Sequence, residues 1–124
     1  MQILLGIDLG QKRTGFAWCG PGGLIETLGT SPAGELEQAM RRYAEEVGAE
    51  LLVFGLPLRR GRIGSAARVC RRRAYALAEA LDLPLVFVDE SHTTDEAKQL
   101  FPGRDKDAVA AALILSRYLA DGAL

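Results

Sequence analysis

The sequence predicts an α/β fold on a mixed five-stranded sheet: three antiparallel strands, then two parallel ones, with helices on both faces. Three observations predict it. The runs ILLGIDL, TGFAWC and GLIETL are joined by the brief connections QKR and GPGG, the spacing of an antiparallel meander. Two further apolar runs, ELLVFG and PLVFVD, each follow a helical pattern, as crossovers into parallel strands require. The length of 124 residues suits one domain over 1–124.

Residues 2–9 read as a buried strand, 14–19 as a second and 23–28 as a third. In GELEQAMRRYAEEVGA, Leu36, Met40, Tyr43 and Val47 recur at helical spacing, and Gly48 is a natural stop. A fourth strand covers 50–55, ended by Gly55-Leu56-Pro57. Residues 58–64 form an arginine- and glycine-rich loop. Ser65 caps a helix over 66–81, with Ala66, Val69, Cys70, Ala74, Leu77 and Leu81 toward the core. Pro84 opens the fifth strand. A short helix is expected over 94–100 and a last one from about 106 to 120. Three meandering strands and two crossovers give the order of the ribonuclease H-like fold.

Composition narrows the class. Apolar residues are 48% and charged ones 25%, as in a soluble globular protein. No apolar run reaches the roughly 18 residues of a membrane span. The N-terminal apolar stretch is unlike a signal peptide, so a cytoplasmic protein is expected. Cys19 and Cys70 lack CxxC spacing and read as free thiols. Net charge is −1, yet RRGRIGSAARVCRRR, residues 59–73, holds seven arginines and no acid. Such asymmetry predicts a local site for polyanions.

Three acids stand where an apolar residue would be expected. Asp8 interrupts the first strand on the face of Leu4 and Gly6. An ionised carboxylate there needs a partner: a salt bridge to Lys12 or Arg13, or a metal ion at the carboxyl end of a central strand. VFVDE runs straight into Asp89 and Glu90, one of which could cap the next helix. In the last helix Ala110, Ala111, Ile114 and Tyr118 form an apolar stripe that Asp107 extends, pointing it at the sheet. Asp105 is free to serve as the N-cap. Asp8, Glu90 and Asp107 therefore converge. Oxygen ligands of this kind suit Mg²⁺ or Mn²⁺, and two such ions drive phosphodiester hydrolysis. Gly6 and Gly10 would keep the backbone slim so that metal and phosphate can approach. Lys12 and Arg13 either contact phosphate or brace Asp8. Arg59, Arg60, Arg62, Arg71 and Arg72 would meet substrate phosphates. Trp18 reads as core, and His92, the single histidine, as a loop residue.

The blocks GIDLGQKRTGFA, LLVFGLPL, LPLVFVDESHTTDEA and KDAVAAALILSRYL resemble, in order and over nearly the whole chain, those of the YqgF/RuvX family. Its members are described as pre-16S rRNA nucleases and also as Holliday junction resolvases, with a RuvC-like fold. The resemblance implies a metal-dependent nuclease using two Mg²⁺ or Mn²⁺ ions. The family's three acids fall on Asp8, Glu90 and Asp107. It implies processing of the 5′ end of small-subunit ribosomal RNA precursor, with structured RNA the favoured substrate, branched DNA an alternative and a ribosomal particle a candidate partner. Monomer and homodimer both remain open, and no membrane partner is implied. Three departures affect how substrate is gripped: Ser91 stands where the family has arginine, RRGRIG replaces an Asn-x-Asp-Gly-like loop, and FPGRDK is short.

Two rival classes share parts of this pattern. An ATP-binding domain of the actin and sugar-kinase type also opens on a GIDLG-like turn, but needs two lobes, and no second phosphate loop is present. A non-catalytic nucleic-acid binding module would keep the arginines without needing three converging acids.

Overall fold

The computed structural model describes residues 2–90 and 105–124. The five strands are β1 (Leu4–Leu9), β2 (Arg13–Cys19), β3 (Ile25–Pro32), β4 (Leu51–Leu56) and β5 (Leu85–Asp89). The helices are α1 (Leu36–Val47), α2 (Ser65–Leu81) and α3 (Lys106–Asp121), and a 3₁₀ turn at Ala33–Glu35 leads into α1. The expected helix over 94–100, together with Ser91 and His92, lies outside the described residues.

The sheet order is β3-β2-β1-β4-β5. β1 pairs antiparallel with β2 and parallel with β4, and β4 pairs parallel with β5. The expected mixed sheet is present. β3 is the element that differs most from expectation, running to Pro32 rather than ending at 28. Its register against β2 shifts between Phe16 and Ala17, leaving Leu28 as an extra residue. This bulge lets the strand absorb Gly29 and continue. Pro32 is tolerated because β3 is an edge strand.

Each face of the sheet has its own core. Leu5, Ile7, Phe16, Leu52 and Phe54 pack against Leu36, Met40, Cys70, Ala74 and Leu77 of α1 and α2. Leu4, Ala17, Val53 and Val88 pack against Ala111, Ile114 and Leu115 of α3. Helix α1 ends at Gly48, with φ +70°, the left-handed terminus a glycine accepts without strain. On α2 the buried stripe is Ala67, Cys70, Ala74, Leu77 and Ala78, one position round from the expected one. Ala66 and Val69 turn outward, Val69 to 52% exposure. Ser65 is the first helical residue, and Gly64 occupies the N-cap with no side-chain bond. No helix among the described residues is long and apolar enough to cross a membrane. Cys19 and Cys70 are both buried free thiols.

Candidate active site

Strand parity decides which acids meet. On β1, Leu4, Gly6 and Asp8 share the face toward α3, while Leu5, Ile7 and Leu9 face α1 and α2. On β5, Val86 and Val88 belong to the α3 side, and Leu85 and Phe87 to the other. Alternation carries Glu90 to the side of Asp8 and leaves Asp89 on the opposite one. Gly55 of β4 makes room for Glu90. A side chain there would stand 2.7 Å from the Glu90 Cβ and 2.6 Å from Ile114 Cδ1.

Asp8 and Glu90 are hydrogen-bonded to each other, Glu90 donating and Asp8 accepting. Burial is the main cause that raises both above the ordinary carboxylate range. The bond itself pulls Asp8 down and pushes Glu90 up, and the charge of Asp107 adds to the rise at Asp8. Near neutral pH the pair shares one proton. The folded chain thus binds more protons than the unfolded one, and stability falls as pH rises through the raised values. In EDTA, the wild-type Tm should fall between pH 5 and pH 8, and Glu90→Gln should flatten that slope. Thermal melts across the range check this, and parallel profiles for the two proteins would contradict it.

Asp107 enters from the first turn of α3. Asp105 caps that turn, its carboxylate accepting the N–H groups of Asp107 and Ala108, both at 3.2 Å. The Thr30 hydroxyl of β3 donates to the same carboxylate at 2.6–2.7 Å. Gly15 of β2 lies directly beneath, where a side chain would overlap the Asp107 carbonyl. The Asp107 carboxylate pairs with Arg13, Nε to Oδ2 at 3.3 Å. Arg13 therefore braces Asp107, and no ion pair joins Asp8 to Lys12 or Arg13. The reason is register. Arg13 shares the α3 face with Gly15 and Ala17 and so reaches the helix start. Asp107 acts electrostatically on Asp8, but among the described residues no three Asp, Glu, His or Cys side chains close on a single metal position. Asp8 and Glu90 meet, and Asp107 is turned to Arg13.

Gly6 and Gly10 are both sites of close packing, and Gly10 also lines the groove described below. A side chain at Gly6 would stand 2.6 Å from Leu115 Cγ of α3, and one at Gly10 would overlap the Arg13 carbonyl in the tight β1–β2 turn.

Asp8, Asp89, Glu90 and Asp107 line an open groove of about 1290 Å³. Arg59 and Arg60 line it too; Lys12, Arg13, Arg62, Arg71 and Arg72 lie outside that lining. Arg73, from the arginine-rich 59–73 segment, lines the groove and donates from Nη1 to the Gly10 carbonyl at 3.0 Å. That bond ties α2 to the β1–β2 turn. Arg59 and Arg62 exchange two backbone hydrogen bonds at 2.9 Å, around Arg60 at φ +52° and Gly61 at φ +74°. Positive φ at both central residues is the type I′ pattern. Cys70 also lines the groove, and its thiol donates to the Gly55 carbonyl at 3.4 Å. Burial first, then the charge of Glu90, push that thiol up to about 12, so it stays protonated and unreactive at neutral pH.

Sequence reasoning missed Thr30, Gly15 and Gly55. Glycines inside strands did carry a signal, since they mark close approach of other groups. Thr30 lay beyond the expected end of its strand and carried none.

Comparison with known proteins agrees with this architecture. A family model described as "RuvX: Holliday junction resolvase" matches residues 2–121. A relative from Synechococcus elongatus is 38% identical over 93% of this chain and 87% of its own length. One from Thermosynechococcus vestitus is 36% identical over 96% and 88%. Both carry the name "Putative pre-16S rRNA nuclease". Among solved structures, Thermus thermophilus RuvC bound to a Holliday junction superposes with a TM-score of 0.58 at 14% identity, covering 98% of each chain. That likeness shows the ribonuclease H-like fold. The chain belongs to the RuvX family.

Proposed function

We propose that this protein is a metal-dependent nuclease that hydrolyses phosphodiester bonds in the 5′-end processing of 16S ribosomal RNA precursor. The observation that carries the reading is the Asp8–Glu90 couple, two carboxyls sharing a proton in a groove lined by Arg59, Arg60 and Arg73. The shared name of the curated relatives supports the substrate.

The donor set fits a divalent cation. Two adjacent, partly buried carboxyls repel each other once both ionise, and a cation relieves that repulsion where a proton now does. Asp8 and Glu90 would hold Mg²⁺ or Mn²⁺, with Asp107 brought in from α3. When bound, such ions supply the charge that lets water attack a phosphodiester and the leaving oxygen depart. Asp107 adds negative charge beside the couple and favours cation capture. Arg59, Arg60 and Arg73 hold the substrate backbone, and such contacts set affinity and register without reading sequence. Arg13 keeps the Asp107 side chain in place.

A direct test offers purified protein a precursor 16S RNA fragment, an unstructured RNA and a four-way DNA junction, with Mg²⁺ or Mn²⁺ and then EDTA. Metal-dependent cutting of the precursor alone is the expected result. The description of the family model favours a second reading, resolution of DNA junctions, and preferential cutting of the junction would establish it. Binding without cutting of any substrate would indicate a non-catalytic module. The same cations should raise Tm more at pH 8 than at pH 6, because less proton has to be displaced at the higher pH. Melts with and without Mn²⁺ measure the difference, and an equal rise at both pH values would count against the couple as the binding point.

A further inference from the structure

Three residues lie in one row across the sheet. Asp8 of β1 pairs with Gly15 of β2, and Gly15 pairs with Thr30 of β3. Neighbouring strands stand about 4.8 Å apart, so the row spans roughly 10 Å. Each member meets α3 or the acid couple differently. Asp8 belongs to the couple. Gly15, lacking a side chain, lets the Asp107 carbonyl settle on the strand. The Thr30 hydroxyl grips both oxygens of the Asp105 carboxylate, at 2.7 and 2.6 Å. That carboxylate in turn holds the N–H of Asp107 at 3.2 Å. A chain of hydrogen bonds thus runs from the sheet edge to the backbone of the third acid.

We infer that Thr30 is a positioning residue for Asp107, acting through the Asp105 cap to fix where the helix presents that carboxylate beside Asp8; the inference rests on the nuclease reading above. Asp105 alone would cap the helix by accepting two N–H groups, as helix N-caps do. The Thr30 bond adds what a cap does not supply, a tether to the sheet that carries Asp8. Such outer partners of a ligand set commonly change metal affinity or activity by tenfold or more. The bulge at Leu28 places Thr30 in this row, since a one-residue shift sends a strand's side chains to the other face.

The test compares wild type with Thr30→Val, Thr30→Ser, Asp107→Asn and the Thr30→Val/Asp107→Asn double variant. Valine keeps the size and strand preference of threonine and removes only the hydroxyl. Mn²⁺ binding is measured by calorimetry without nucleic acid, and kcat and RNA affinity are measured separately. Thr30→Val should weaken Mn²⁺ binding about tenfold and lower kcat, with RNA affinity unchanged. Thr30→Ser should retain wild-type behaviour. In the Asp107→Asn background the valine should add nothing, because its effect passes through Asp107. Wild-type Mn²⁺ affinity in Thr30→Val would overturn the inference, as would additive losses in the double variant. A wild type that binds Mn²⁺ but cuts nothing would remove the nuclease reading, and the affinity comparison alone would then decide the role of Thr30. A wild type that binds no Mn²⁺ would overturn both.

Discussion

Asp8→Asn is expected to reduce cleavage on the order of a thousandfold while leaving nucleic-acid binding intact or tighter. The amide keeps the shape of the side chain and removes the charge that would hold a cation. Cation catalysis of phosphoryl chemistry supplies several kcal/mol, and about 4 kcal/mol corresponds to three orders of magnitude in rate. Binding should survive because Arg59, Arg60 and Arg73 are untouched and one negative charge has left the groove. Folding should survive as well, since the variant removes a carboxylate whose ionisation is disfavoured in the native state. Single-turnover cleavage of the precursor fragment, run beside a filter-binding titration, separates the two effects. Equal loss of cutting and binding would place Asp8 in the fold or the substrate grip rather than in the chemistry. Undiminished cutting would exclude the couple as the catalytic centre.

Gly15→Val is expected to destabilise the protein by about 3 kcal/mol, the upper end of overpacking costs, or roughly a 10 °C fall in Tm for a domain of this size. The obstacle is the backbone of α3 at Asp107 and Ala108, which cannot move aside as a flexible side chain would. Either the helix start lifts or β2 distorts, and both displace Asp107 from Asp8. Activity should therefore fall further than stability alone explains, at a temperature where the variant is still folded. Thermal melts and cleavage at 20 °C measure the two effects. A variant with wild-type Tm would show that α3 does not seat on β2 in this way.

Much of this arrangement was legible in the chain. Asp8 and Asp107 stood out because each was a charge in an apolar pattern, which put Asp8 on the face of Leu4 and Gly6 and turned Asp107 toward the sheet, whereas Glu90 shared its strand end with Asp89. The structure brings Asp8 and Glu90 together and turns Asp107 to Arg13, and Asp105 takes the cap the sequence allotted it. Periodicity does not carry the side-chain partner of an exposed cation. Arg13 was expected either to contact phosphate or to brace Asp8 and instead pairs with Asp107, a choice made by the register of β2 against α3. Periodicity also fails at irregularities. The bulge at Leu28 extends β3 past the expected end and brings in Thr30, and no local pattern announces a bulge. On α2, several small apolar residues in succession left the angular position of the stripe ambiguous by one residue. The observed rotation places Arg73, one of the arginines of the 59–73 segment, on the groove.

The turn at Arg60 sets two physical demands against each other. Left-handed backbone costs an ordinary residue roughly 1–2 kcal/mol, and the same turn prefers asparagine before its glycine. A guanidinium stands there nonetheless, on the lining of the groove. Asparagine at position 60 would ease the turn and take one positive charge from the groove lining without any change in the core. The residue at this one position thus trades ease of the turn against charge on the groove.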